Sequence, residues 1–317
     1  MADVFESYEA VGNREDVQDD IYDISPADNP VAAMSQTIGA INRVHSWQED
    51  ELAAIRTSAA IEGADAGDDT SLATTLKTNY TQIFEETARI SGTQEEIAHY
   101  GRASEMSYQL RKRYLQMARN EEAAIAGAPD GTNRQTATVG DAATARLLGS
   151  IYEQADASVV GYCTTEGTSG GTPFTTTAQL EAKLLEVHAA VYTAGGNPSY
   201  AITDPAVAGY FPQFALSAGR NRDIMETKLI NAVDLYVSQY GQLDVVLDRS
   251  MIQATSAILL MDFEHSATPV LRSTKDYPLA KAGDAENRQV IRESTYALLN
   301  SKACGIVDEV PAGLTSA

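Results

Sequence analysis

Two stretches in which polar and apolar residues alternate, separated by a tract with few large side chains, constrain this chain most. The odd positions from Ile41 to Trp47 share one face, and the even positions from Tyr80 to Ile90 share another. A period of two is that of a β-strand. The intervening tract, AAIRTSAAIEGADAGDDTSLATT, is rich in Ala, Gly and Asp. We therefore predict a long protruding hairpin from about Ile41 to Ile90, which needs a surface to lie on because isolated hairpins are marginal in water.

The first strand of this hairpin contains the segment RVHSWQEDE, with the single Trp of the chain and one of its four His. Trp47 and His45 lie on the same strand face and are followed at once by carboxylates. This pattern fits either a reactive cluster or a strand with a mechanical purpose. The residues alone leave both interpretations open.

The segment before the hairpin is predicted to be an extended arm. Residues 3–28 hold nine acids and one Arg, which is too polar for a core of their own. Pro26 and Pro30 prevent a continuous helix. The arm is assigned to residues 1–35.

A long helix is predicted after the hairpin. Thr93 and Glu96 fit a capping box, the helical pattern runs to Ala126, and Gly127 follows. Such a helix is roughly 50 Å long at about 1.5 Å per residue. Its stripe is narrow and weakly apolar, which suggests a helix lying across a sheet, and consists of Ile97, Gly101, Ser104, Tyr108, Leu115 and Ala118.

The remainder of the chain is predicted to be one further helix followed mainly by strands. The helix covers residues 178–193 and closes at Gly195. A hairpin turns at Tyr240 and Gly241, and the segments SAILLMDFEHSATPVLRS and RQVIRESTYALLN read as further strands. The predicted class is α+β.

Composition excludes several classes of function. The net charge of −21 opposes tight binding to a phosphate backbone. Neither a membrane span nor a signal peptide is visible, so a cytoplasmic origin without membrane association is expected. The cations comprise seven Lys and 16 Arg. Such an acidic, Lys-poor chain suits a salty host cytoplasm, although an ordinary acidic protein is the alternative.

A search for reactive groups gives one weak candidate. The four His lack metal-ligand spacing, the two Cys form no CxxC pair, and no phosphate loop is present, so no metal or cofactor is predicted. GTSGG around Ser169 fits the G-x-S-x-G pattern of serine hydrolases. That motif needs a strand running into a helix, and these flanks are polar, so a flexible loop is preferred and no enzyme is predicted.

Several stretches, in order and spacing, resemble the major capsid proteins of tailed double-stranded DNA viruses with the Hong Kong 97 type capsid fold. They extend from near residue 5 to near residue 306 and are YEAVGNREDVQDDIYDISPADNP, HSWQEDELA, AAIEGADA, NYTQIFEETARISGTQEEI, VYTAGGNPSYAI, YGQLDVVLDR and PLAKAGDAENRQVIRE.

The resemblance implies a fold with five parts: an N-terminal arm (1–35), an extended β-hairpin loop over an adjacent subunit (36–92), a long spine helix and the first part of the peripheral domain (93–176), an axial domain (177–264), and the closing strands and tail of the peripheral domain (265–317). It also implies assembly contacts in the hairpin and in the loop DYPLAKAGDAEN, for which the candidates are Trp47, Glu62, Asp65, Asp68, Lys281 and Asp284.

The implied function is self-assembly as hexamers and pentamers into an icosahedral head around double-stranded DNA, which is enclosed without sequence-specific binding. A portal protein is the expected partner, and separate scaffold, protease and decoration proteins are further candidates. The protein is expected in the virion after assembly in the host cytoplasm. Three alternatives remain: an encapsulin-like nanocompartment shell, a serine hydrolase using Ser169, and a carbohydrate-binding or adhesin protein. The last is the least favoured, because this chain lacks the aromatic clusters that stack on sugars.

Overall fold

A computed structural model describes residues 28–315, apart from 54, 56, 58, 60–61, 64, 66–70, 99, 131–132, 215–234, 254–255 and 282. The predicted arm therefore lies outside the described residues, except for its last part, and so do Asp68 and most of the hairpin tip. The helices of the described part are α1 (Pro30–Met34), α2 (Gly92–Glu96), α3 (Glu105–Ala126), α4 (Ile151–Gln154), α5 (Thr177–Ala194), α6 (Pro205–Ala208) and α7 (Phe211–Phe214).

The strands confirm the α+β class. In chain order they are β1 (Gln36–Gly39), β2 (Val44–Glu49), β3 (Thr75–Tyr80), β4 (Gln82–Ser91), β5 (Val160–Tyr162), β6 (Tyr200–Thr203), β7 (Leu235–Ser238), β8 (Gly241–Leu247), β9 (Ile258–Met261), β10 (Ser266–Pro278), β11 (Ala285–Ser294), β12 (Ala297–Leu298) and β13 (Gly305–Asp308).

These strands form two main sheets and one separate hairpin. The first sheet has the order β1-β10-β11-β4, with β12 on β10, and α3 packs on β4. The second sheet has the order β5-β13-β9-β6-β8-β7 and carries α5. Two apolar clusters are buried. One extends from Phe84, Ile125 and Val290 to Ile202 and Leu259 and so joins the two sheets, and the other is centred on Leu180 and Leu243.

The predicted hairpin is present but shorter than expected. Only β2 and β3 pair with each other, with Trp47 opposite Lys77. β1 instead pairs with β10, and β4 pairs along its whole length with β11. The predicted second strand is therefore split at Thr81, because β4 buries Phe84 and its even-numbered neighbours against α3 and the sheet.

The prediction of one continuous helix starting at Thr93 is wrong, because two separate helices occupy this stretch. α2 is capped by Ser91, whose hydroxyl accepts the Gln94 N–H at 3.3 Å, and ends at Glu96. α3 begins anew after Ser104, whose hydroxyl accepts the Ser107 N–H at 3.2 Å. Gly101, with φ of 72°, turns the chain between them. At 22 residues, α3 is roughly 33 Å long.

The predicted apolar stripe is wrong for the same reason. Ile97 and Gly101 precede α3, and Leu115 is 40% exposed. The buried face instead includes Met106, Leu110, Met117, Ala124 and Ile125.

The later elements agree well with the sequence. α5 buries Leu180, Leu184, Val187 and Val191 and ends at Gly195, which has φ of 97°. β7 and β8 form the predicted hairpin. No helix in the described ranges is long and apolar enough to cross a membrane.

Candidate assembly surfaces

The root of the hairpin is the point, from Asn79 to Thr81, where β3 ends and the chain enters the first sheet. The buried side chain of Asn79 fixes this root. Its amide nitrogen donates to the Tyr296 carbonyl at 2.7 Å and to the Gly149 carbonyl at 3.0 Å. Its amide oxygen accepts the Gly149 N–H at 2.7 Å. Because the side chain of Asn79 is saturated by backbone groups from two distant segments, the position of β3 relative to the sheet is defined.

A second set of contacts at the root centres on the carboxylate of Glu293, whose side chain is 6% exposed. It accepts the Thr81 hydroxyl at 2.9 Å and the Arg272 guanidinium at 2.7 Å. Arg146 donates both to this carboxylate and to the carbonyl of Thr81. Thr81 is the residue between β3 and β4, so this network holds the point where the hairpin departs.

The far end of β2 is tied to a C-terminal turn. Glu49 accepts both the N–H and the hydroxyl of Ser301, each at 2.9 Å. Glu51 forms an ion pair with Lys302. The carboxylate of Glu49, close after Trp47, therefore anchors the hairpin to its own subunit.

Trp47 lies on the hairpin in the position predicted from the alternation. It is half-buried, and its ring centroid is 6.0 Å from that of His45. Its indole N–H is buried without a hydrogen-bond partner among the described residues. Burial lowers the pKa of His45, which favours the neutral imidazole. The arrangement fits a packing role, and contact of Trp47 with a neighbouring subunit stays a prediction.

The tip of the hairpin carries exposed apolar and acidic side chains. Leu52 and Ile55 are 97% and 105% exposed. Glu62 and Asp65 are also exposed, whereas Asp68 lies outside the described residues. An isolated subunit gains nothing from exposed Leu and Ile side chains, so this part of the hairpin is a candidate interface.

The second predicted contact region, the loop between β10 and β11, is present. Lys281 and Asp284 are exposed in it. The carbonyl of Asp284 accepts the Gly92 N–H at 3.1 Å. The carboxylate of Asp284 lies so close that a Cβ atom added to Gly92 would be 2.6 Å from it. The loop is thus held against the start of α2, and no contact among the described residues joins Lys281 or Asp284 to the hairpin.

A third feature, which the sequence did not reveal, is a buried carboxylate beneath the arm. Glu122 on α3 is fully buried and accepts the N–H of Val31 at 2.7 Å and of Ala32 at 2.9 Å. Burial first, and then the nearby Asp248 carboxylate, raise the pKa of Glu122 to about 8, against the lowering effect of the two N–H groups. The contact joins residues 91 positions apart, and no local pattern signals it.

Comparison with known proteins identifies the family of this chain. The SU10 major capsid protein family matches residues 4–311. The chain belongs to this family. The major capsid protein of Escherichia phage Phieco32 is 26% identical, with 96% of each chain covered. The capsid of a native GTA particle is 12% identical, with a TM-score of 0.64 and coverage of 96% of this chain and 98% of that one.

Membership of the SU10 family makes this chain the major capsid protein of a tailed phage, a virion component that assembles with copies of itself into the capsid shell. The Hong Kong 97 type fold is confirmed. The encapsulin alternative shares that fold: the holo-SrpI encapsulin complex from Synechococcus elongatus PCC 7942 has a TM-score of 0.57 at 9% identity, covering 94% of this chain and 92% of that one. The family match favours the phage capsid.

In this SU10-family subunit, Ser169 occupies an exposed turn. Its hydroxyl donates to the carboxylate of Glu309, which also accepts the Gly170 N–H at 2.9 Å. No helix follows the turn at the position that a nucleophile elbow requires, since α5 begins only at Thr177. The contacts favour the loop interpretation.

Three further side chains that could react are buried. Cys163 and Cys304 are free, and burial raises the pKa of each thiol to about 12. The Nδ1 atom of His188 lies 3.0 Å from the Ser238 hydroxyl, and burial lowers the pKa of the imidazole. Within the described residues, no group of three His, Cys, Asp or Glu side chains is placed to hold a metal ion.

Proposed function

We propose that this capsid protein assembles as hexamers and pentamers into an icosahedral head that encloses double-stranded DNA, with the hairpin as its main contact to a neighbouring subunit. The observation that carries the proposal is the combination of a fixed root and an exposed apolar tip on the same element. Asn79 and Glu293 define the direction of the hairpin, while Leu52 and Ile55 remain open to solvent. Each contact after the first is effectively intramolecular, so many weak contacts sum to a stable shell.

The proposed contact residues are Trp47, Glu62 and Asp65 on the hairpin and Lys281 and Asp284 on the loop between β10 and β11. The exposure of the last four supports this assignment. Asp68 belongs to the same proposal from its sequence position alone.

The five parts are proposed with the boundaries given by the resemblance: 1–35, 36–92, 93–176, 177–264 and 265–317. In this division, β1 and β4 belong to the part 36–92 by sequence but lie in the first sheet, which together with α3 corresponds to the peripheral domain. The axial domain corresponds to α5 with β6 to β9. Strands β5 and β13 join the second sheet from outside 177–264 and therefore connect the two domains.

The wider biology is also proposed. The expected partners are a portal protein and, where they are encoded, separate scaffold, protease and decoration proteins. Assembly takes place in the host cytoplasm, and the protein is not an enzyme. With a net charge of −21, the subunit repels DNA, which allows the genome to be packed and released without adhering to the wall.

A replacement of the hairpin tip tests the proposal. A variant in which residues 52–72 are exchanged for a short Gly/Ser turn keeps β2 and β3 and the anchors Glu49 and Glu51. We expect its circular dichroism to match that of the wild type while closed shells disappear from electron micrographs. Replacement of the exposed loop 166–171 by Gly and Ser residues is the control, and we expect it to retain assembly. Normal shells from the tip variant would refute the proposed role of the hairpin.

A further inference from the structure

A groove of about 520 Å³ opens beside the root of the arm. Its walls are the start of β4, the second half of α3 and the turn after β8. The side chains that line it include Asp28, Ile83, Phe84, Arg119 and Arg249.

The groove combines the exposed apolar side chain of Ile83 with two cations and with the carboxylates of Asp28 and Glu85. Ile83 is 48% exposed although it lies in a strand, and Phe84 beside it is buried. Arg119 makes no ion pair with any residue in the described ranges. Arg249 is 3.7 Å from the carboxylate of Asp28, and both side chains are more than half exposed. Arg119 is therefore available to a carboxylate of an extended peptide, and Ile83 is available to one of its apolar side chains.

The chain itself supplies such a peptide at the mouth of the groove. Asp28 lines the groove and is the first residue that the structure describes. The 27 residues before it contain eight acids and one Arg. The nearest of them, DDIYDISPA over residues 19–27, hold three Asp together with two Ile and one Tyr.

We propose that residues 19–27 bind in this groove of their own subunit, with Asp carboxylates on Arg119 and apolar side chains over Ile83. Nine extended residues reach about 30 Å, so the segment needs no other path from Asp28. β4 is an edge strand of its sheet, a kind of surface to which extended peptides add. The proposal concerns one folded subunit and does not depend on shell assembly.

Occupancy of the groove changes what the arm can do. If residues 19–27 stay on their own subunit, the part of the arm before residue 19 is left to contact a neighbour. The groove then acts as a fixed starting point for the arm, next to the Glu122 contact with Val31. Because the attraction is ionic at a partly exposed site, it weakens as salt is raised.

Hydrogen exchange with mass spectrometry on dissociated full-length subunits tests the proposal. We expect peptides covering residues 19–27 to exchange about tenfold more slowly than an unstructured chain. The Arg119→Glu variant removes this protection, whereas Arg111→Glu, an exposed site on the same helix, keeps it. Replacing Asp19, Asp20 and Asp23 by Asn also removes it and leaves the groove unaltered.

Three results would overturn the proposal: no protection in the wild type, unchanged protection in both the Arg119→Glu and the triple Asn variants, or protection that grows with protein concentration. The last result would assign the groove to the arm of a second copy. A subunit that fails to assemble but shows the protection would leave this inference intact and count against the proposed shell contacts alone.

Discussion

Glu122 makes the subunit less stable as pH rises, and the Glu122→Gln variant removes this effect. The carboxyl group is fully buried, and its pKa in the folded chain is about 8, against 4.5 for an exposed Glu. Between these values the folded chain binds more protons than the unfolded chain. The stability from the raised pKa is therefore fully present below pH 4.5 and is lost as pH rises to 8.

The size of the effect follows from the shift. Each pKa unit corresponds to about 1.4 kcal/mol, so the free energy of unfolding changes by up to about 5 kcal/mol across the window. In the middle of this pH window, ionisation of Glu122 lowers the free energy of unfolding of the wild type by about 1.4 kcal/mol per pH unit. Glutamine keeps the shape and one carbonyl acceptor for the Val31 and Ala32 N–H groups but does not ionise. Relative to the wild type, the variant therefore gains roughly 3 kcal/mol between pH 5.5 and 7.5.

Urea unfolding of dissociated subunits at pH 5.5, 6.5 and 7.5 measures this difference directly. Asp248, whose pKa burial also raises, contributes in both proteins, so the comparison isolates Glu122. Glu186→Gln, at a side chain on α5 that is 69% exposed, is the matched control, and its stability profile should run parallel to that of the wild type. Parallel profiles for the wild type and Glu122→Gln would refute the reasoning.

Three further predictions test other parts of the structure. Glu293→Gln lowers the free energy of unfolding by roughly 2–3 kcal/mol because two Arg lose their buried counter-charge and an amide NH2 replaces one of the two acceptor oxygens. In the same urea titration, Glu286→Gln costs less than about 1 kcal/mol because that side chain is 58% exposed. Gly195→Ala lowers the free energy of unfolding by about 1 kcal/mol because φ is 97° at this position, a value that alanine adopts at a cost. Thermal melts should show no such loss for Gly39→Ala, because a Cβ atom at Gly39 meets open space. A fluorophosphonate probe should leave the wild type unlabelled, and labelling that Ser169→Ala abolishes would revive the hydrolase reading.

Elements with a strong local period could be predicted from the sequence. α5 has apolar residues at helical spacing and a Gly at its end, and β7 and β8 turn at Tyr240 and Gly241. β4 shows its alternation because one face lies on α3 while the other is open. In each case the burial that decides the structure repeats along the chain, so the pattern is visible without knowing the partner.

The errors have a common physical origin in distant partners. Thr93 fits a capping box, but Glu95 accepts the Ser104 hydroxyl at 2.7 Å and the Met106 N–H at 3.0 Å, which starts α3 a turn after Gly101. The split at Thr81 depends on β11, which lies some 200 residues away and extends β4 into the first sheet.

The candidate contact residues were only partly accessible to sequence reasoning. Glu62, Asp65, Lys281 and Asp284 are exposed, as surface contacts require, but exposure alone does not single them out. Glu122 was missed because a Glu within a helix ordinarily faces water. Only the arm folding back over α3 turns it into a buried acceptor.

Electron microscopy of the purified protein, at low and at molar salt, alone and coexpressed with any scaffold encoded beside it, tests the central claim most directly. The account predicts uniform closed shells with fivefold and sixfold capsomers in at least one of these conditions. Shells that form only at molar salt would also identify a salt-adapted host. Compact monomers in every condition would contradict the account.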